Sequence, residues 1–137
     1  NLRFSCSYVG KVDEIFLDER FIEVNYGDEY ENALIACDIA FTSAGSVVWE
    51  LIARKIPFGV ACIATNQLEN FKYLVKNSLA IPIGFFDRKG SIKLDSDAMN
   101  QIILDSNLCT LLKQNMSKVE IGDGANLIIN ILLNHPH

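Results

Sequence analysis

Histidine is nearly absent: the only two copies, His135 and His137, stand in the terminal NHPH. Residues 1–134 contain none, so neither a histidine general base nor a histidine-containing metal site can be built there. Chemistry carried by this chain alone would have to run on carboxylates; otherwise the catalytic group lies on another segment of protein. A long apolar run is also missing, every stretch falling far short of the ~20 residues that a membrane span needs. The N-terminus has no basic region followed by an apolar signal core. These absences predict a cytoplasmic protein with no membrane span. The 12 Lys and Arg against 17 Asp and Glu give a net charge of -5, with no basic cluster. That removes the electrostatic footprint of a nucleic-acid binder, and no nucleic-acid partner is expected. No CxxC pair occurs. Cys6, Cys37, Cys62 and Cys109 each lie in or beside an apolar run and read as buried, reduced thiols. A nucleophilic cysteine would want a histidine base that the body of the chain does not hold.

What is present describes a folded body. The chain has 137 residues, 50% of them apolar and 21% charged, which suits one domain over 1–137 with a single core. Short apolar runs alternate with amphipathic stretches. LRFSC (2–6) and FIEV (21–24) read as strands around a segment with Val12, Ile15 and Phe16 at helical spacing. Asp28 and Glu31 form a capping-box pattern before a helix with Tyr30, Ala33, Leu34 and Cys37 as its apolar stripe. DIAFTS (38–43), PFGVACI (57–63) and AIPIGFF (80–86) read as further strands, separated by helices over 46–54 and 67–77. From Ser96 onward the chain reads as helical, ending in ANLIINILLN after the GDG turn at 122–124. Strands apolar on both faces belong inside a parallel sheet covered by helices. The alternation predicts an α/β fold with a doubly wound parallel sheet. Such a domain commonly opens with a strand and a glycine-rich turn. Neither precedes Asn1, so the sequence reads as a fragment, or the C-terminal half of a larger enzyme, lacking its first strand.

Two loops fall at the carboxyl ends of predicted strands, where open parallel sheets bind ligands. The first, inside TSAGSVVWE (42–50), carries Thr42, Ser43, Ala44, Gly45 and Ser46 and opens a helix whose free N–H groups and positive dipole end suit a phosphate. Glu50 would repel that anion. It stands ~6 Å along the helix axis from Ser46, where a carboxylate can accept hydrogen bonds from ribose hydroxyls. An acid on a solvated helix face is also ordinary. In the second loop, Thr65, Asn66 and Gln67 offer neutral donors and acceptors to phosphates or a sugar, while Asn66 and Glu69 alone make a capping box that needs no ligand.

The stretch DIAFTSAGSVVWELIARKIPFGVACIATNQLENFKYLVKNSLAIPIG resembles the second half of the nucleotide-sugar-binding domain of GT-B enzymes. The best fit is the pseudaminic-acid pathway UDP-sugar hydrolase with its spore-coat polysaccharide relatives; the peptidoglycan N-acetylglucosaminyltransferase is a more distant one. The resemblance rests on the Asp-apolar strand at 38–41, the S-A-G-S turn at 43–46, Glu50, Pro57 opening the next strand, Asn66-Gln67 after it, and GDGAN at 122–126. It implies a Rossmann-like GT-B C-terminal domain that binds UDP or a UDP-sugar. Glu50 would then serve the ribose, Ser43, Ala44, Gly45 and Ser46 the phosphates, and Asn66 and Gln67 the diphosphate or sugar. No cofactor is expected, and no metal site is visible in the sequence. The resemblance places the hydrolase's catalytic histidine on an N-terminal domain supplied in cis or in trans, so no residue here is assigned as catalytic and the chain by itself is expected to be inactive. A glycosyltransferase nucleotide-binding half, a non-catalytic partner domain completing an enzyme across a subunit interface, and a receiver-like module are the alternatives; against the last, no paired acids stand at an early strand end.

Overall fold

The structure, a computed structural model, describes residues 6–10 and 19–122, and these belong to two compact units divided between Asp38 and Ile39. The helical segment around Val12, Ile15 and Phe16, the GDGAN turn beyond Gly122, the ANLIINILLN helix and both histidines lie outside the described residues.

In the first unit, strands β1 (Cys6–Tyr8) and β2 (Phe21–Glu23) pair in parallel, with Cys6 opposite Phe21 and Tyr8 opposite Glu23. The expected strand at 2–6 is met at Cys6, and pairing runs on to Tyr8, whose carbonyl accepts from Val24 N–H at 3.0 Å. Helix α1 (Asp28–Ile35) buries Leu34 and half-buries Tyr30 and Ala33, while Cys37, the last member of the predicted stripe, is half-buried just past the helix end. Its start differs from the predicted capping box. Asp28 is already the first helical residue, and Gly27 is the cap, at φ 108, a region that favours glycine. Its side-chain tie comes from Glu29, whose Oε2 accepts from the Asn25 N–H at 2.9 Å and from Asn25 Nδ2 at 3.0 Å.

The second unit is a four-stranded sheet in the order β3-β4-β5-β6, built from β3 (Ala40–Ser43), β4 (Phe58–Cys62), β5 (Ile81–Phe86) and β6 (Ile92–Leu94). Every residue of β4 is buried, as its all-apolar sequence predicts for a strand flanked on both sides by parallel neighbours. The packing there is tight enough to require Gly59: a Cβ would come within 2.7 Å of Ile83 Cγ2 on β5 and 2.8 Å of Phe41 Cδ1 on β3. Helix α2 (Val47–Arg54) joins β3 to β4, and a 3-10 turn (Thr65–Gln67) with helix α3 (Leu68–Lys76) joins β4 to β5. Both crossovers return through a residue in left-handed conformation, Lys55 at φ 56 and Ser78 at φ 51.

The expectation of a sheet parallel throughout is corrected at one edge. Strand β6 runs antiparallel to β5, with Phe86 opposite Ile92, because the turn between them is tight: Asp87 Oδ1 accepts from the N–H groups of Lys89 at 2.7 Å and Ser91 at 2.9 Å. A hairpin can only return antiparallel. Helices α4 (Ser96–Leu104) and α5 (Ser106–Met116) follow, α4 packing on β4 and β5 and burying Ile102, and α5 burying Leu112 and Met116. The result is α/β with mixed strand directions, an arrangement compatible with a Rossmann-like fold. Among the described residues no helix is long and apolar enough to cross a membrane. All four cysteines are free, but only Cys62 is buried; Cys6, Cys37 and Cys109 are half-buried, a correction to their reading as core thiols. Burial raises the Cys109 thiol pKa above its ordinary value, and its Sγ donates to Ile102 O at 3.3 Å.

Candidate functional site

The register of β3 on β4 pairs Ser43 with Ala61, so the two strands finish level and their loops emerge side by side. Ala44 continues the ladder past the end of β3, donating its N–H to Ala61 O at 2.9 Å, and it is fully buried. Thr42, Ser43 and Gly45 are half-buried and Ser46 is exposed. Gly45 differs from Gly59. A Cβ at Gly45 would sit in ordinary contact, 3.7 Å from Ser43 Oγ and 3.8 Å from Gln67 Nε2. The fold does not force a glycine there.

Helix α2 starts directly from this turn. Val48, Leu51 and Ile52 are buried while Ser46, Glu50 and Arg54 are exposed, so the helix has the sidedness that its sequence spacing predicts. Val47, predicted to lie on the buried side, is only half-buried. Ser46 holds helical dihedrals, φ -69 and ψ -29, and its side chain caps nothing. Among the described residues no group accepts the N–H of Gly45 or Ser46. With the helix dipole, these donors make a place where an anion is favoured.

The second loop does not form the predicted capping box. Residues 65–67 make a 3-10 turn, so the chain enters α3 from a helical residue, Gln67 at φ -94 and ψ -7, and no side chain caps the helix. Asn66 lies within that turn, and Glu69 turns instead to Lys72, 2.9 Å away. Thr65 and Asn66 are exposed at the loop surface. Gln67 spans the two loops: its Oε1 accepts from Ile63 N–H at 3.3 Å and its Nε2 donates to Ser43 Oγ at 3.4 Å. The Ile63 N–H fixes which end of the amide is oxygen, so Ser43 Oγ acts as acceptor to Gln67 and keeps its own proton for another acceptor. Asn70, which sequence reasoning did not select, adds a second link by donating from Nδ2 to Ala44 O at 3.3 Å. The one available signal was an asparagine inside the first turn of a helix, a position where that residue usually bonds backbone.

The nine predicted site residues therefore gather on two loops and one helix of the same unit: Thr42, Ser43, Ala44, Gly45, Ser46 and Glu50 on one crossover, Thr65, Asn66 and Gln67 on the next. A separate open groove of about 530 Å³ runs beside Tyr73, Asn77, Asn115 and Lys118. Three of its polar side chains are engaged locally, Asn77 Nδ2 with Tyr73 O at 2.8 Å, Asn115 Nδ2 with Ser78 O at 3.0 Å, and Lys118 Nζ with Asn115 Oδ1 at 3.3 Å, and Glu120 sets a carboxylate beside them. No group of three or more His, Cys, Asp or Glu that could hold a metal ion occurs among the described residues. No family model, curated protein or solved structure matches the chain.

Proposed function

We propose that the chain binds the nucleoside diphosphate part of a nucleotide sugar, UDP or a UDP-sugar, at the carboxyl ends of β3 and β4, as the nucleotide half of a cytoplasmic UDP-sugar hydrolase or glycosyltransferase of surface-polysaccharide or nonulosonic-acid biosynthesis. The observation that carries this reading is the joining of the two loops by Gln67 and Ser43 above an uncapped helix start, with exposed Glu50 on the same helix. The diphosphate meets the N–H groups of Gly45, Ser46 and Val47 and the Ser43 hydroxyl proton. Glu50, one turn along α2, accepts from the ribose hydroxyls. Thr65 and Asn66 border the diphosphate or the sugar, while Gln67 acts first as the tie between loops. In the intact enzyme this half stabilises the leaving diphosphate as water or an acceptor hydroxyl displaces it from the anomeric carbon.

An NMR titration of the labelled chain with UDP tests the reading. Amide shifts concentrated at 42–50 and 65–67 are expected. No shifts at millimolar UDP, or shifts confined to the groove beside Tyr73 and Lys118, would contradict it.

A further inference from the structure

Asn70 is the third residue of α3, yet its side chain reaches a backbone carbonyl of the β3–α2 turn, Ala44 O, at 3.3 Å. The Ala44 N–H is already held by Ala61 O at 2.9 Å. Both backbone polar groups of this fully buried residue are thus fixed, one by β4 and the other by α3. No peptide bond is cis among the described residues. In a planar trans peptide the carbonyl and the next N–H point in opposite directions, so the Ala44–Gly45 peptide, with its oxygen turned to Asn70, directs the Gly45 N–H away from α3.

We infer that Asn70 is a positioning residue that sets the direction of the Gly45 N–H by holding the Ala44 carbonyl. Gly45 is the first of the three amides, with Ser46 and Val47, that the proposed anion would meet. The consequence for nucleotide affinity rests on the function proposed above, while the consequence for the backbone does not. Gln67 alone cannot replace Asn70, because it contacts the turn through the Ser43 side chain rather than the backbone.

Asn70→Asp keeps the side chain's shape, removes the donor and sets an oxygen against the Ala44 carbonyl. A carboxylate in the first turn of α3 otherwise suits the helix dipole, so a merely helical role predicts a neutral or stabilising change. The positioning role predicts that, at neutral pH, the Gly45 amide resonance moves and exchange of the Ala44 amide, held by Ala61 O, speeds up about fivefold or more relative to the unaltered protein. At acidic pH the introduced carboxyl gains a proton and can donate again, so the resonance should return toward its original place. Asn70→Ala should give the same displacement at neutral pH with no recovery in acid, and should weaken UDP about fivefold. An unchanged Gly45 shift and unchanged Ala44 exchange in both variants, or a displacement in Asn70→Asp that acid does not reverse, would overturn the inference. An unaltered chain that ignores UDP, with the backbone effects intact, would remove the nucleotide reading and leave the positioning role standing.

Discussion

Of the described helices of the four-stranded unit, two begin under a carboxylate and two do not. Asp95 and Asp105 each accept two N–H groups from the first turn of α4 and α5, all at 3.0 Å. Ser46 and Gln67, at the same position before α2 and α3, cap nothing. The difference is set by the backbone. Asp95 and Asp105 are extended, with φ near -100, the conformation from which a cap side chain can reach the second and third amides. Ser46 and Gln67 are already helical and cannot reach them. The capped helices follow the antiparallel edge of the sheet. The uncapped ones rise from the carboxyl ends of its parallel strands; at α3 the 3-10 turn takes up the N–H groups of Gln67 and Leu68, so the open donors of Gly45 and Ser46 at α2 stand where the sheet geometry places ligands.

The largest expected effect contrasts the glycine beside the core with the glycine of the turn. Gly59→Ala must displace Ile83 or Phe41, and a cost of about 1–3 kcal/mol is expected in urea or thermal unfolding. Gly45→Ala meets only ordinary contacts and should change stability by less than about 0.5 kcal/mol. An equal cost for both would show that packing demands both glycines and that the turn holds no spare room. Next come the caps. Asp95→Ala and Asp105→Ala should each cost about 1 kcal/mol, whereas Ser46→Ala should be near neutral. A Ser46 loss as large as the aspartate losses would mean that its hydroxyl does cap α2, and the contrast between the two kinds of helix start would fail.

Much of this unit was legible in the sequence. The strand PFGVACI stands out because burial on both faces leaves a continuous apolar run, AIPIGFF because it is apolar throughout although Pro82 and Phe85 are exposed, and α2 because Val48, Leu51 and Ile52 repeat at helical spacing. The way the chain enters α1 and α3 was not. D-E-Y-E at 28–31 and N-Q-L-E at 66–69 fit the capping-box spacing, yet neither box forms, since the spacing does not reveal whether the chain enters extended or already coiled. Strand β6 alternates as I-K-L, but three exposed residues are too short a stretch for that period to mark a strand. Of the site, the small-residue turn, Glu50 and the second loop were visible as local chemistry. The links between the loops were not, because Gln67–Ser43 and Asn70–Ala44 join residues 24 and 26 positions apart.

The smallest effect concerns the first unit, where an acid again secures a helix start, here by bonding backward to the chain before α1. Hydrogen bonds from the Asn25 backbone N–H and then from its side-chain amide lower the Glu29 pKa below its ordinary value. A carboxyl depressed in the folded state stabilises it above the unfolded pKa, and that contribution is lost as the pH falls through the folded value. A carboxyl-carbon NMR titration should give Glu29 a midpoint below that of an ordinary glutamate, with the Asn25 amide shifting in step. A midpoint at or above the ordinary value would remove the tie.

The central claim is that Glu50 faces a ribose beside an anion held on α2, rather than merely favouring the helix dipole from its first turn. Its most direct test is calorimetric binding of UDP and 2′-deoxy-UDP to the chain and to Glu50→Gln. Weakening charge-assisted bonds should lower UDP affinity about tenfold or more. The loss for 2′-deoxy-UDP should be smaller, because one hydroxyl that Glu50 serves is already gone. Equal losses for both ligands, or none for either, would contradict the ribose assignment and leave Glu50 as an ordinary acid on a solvated helix.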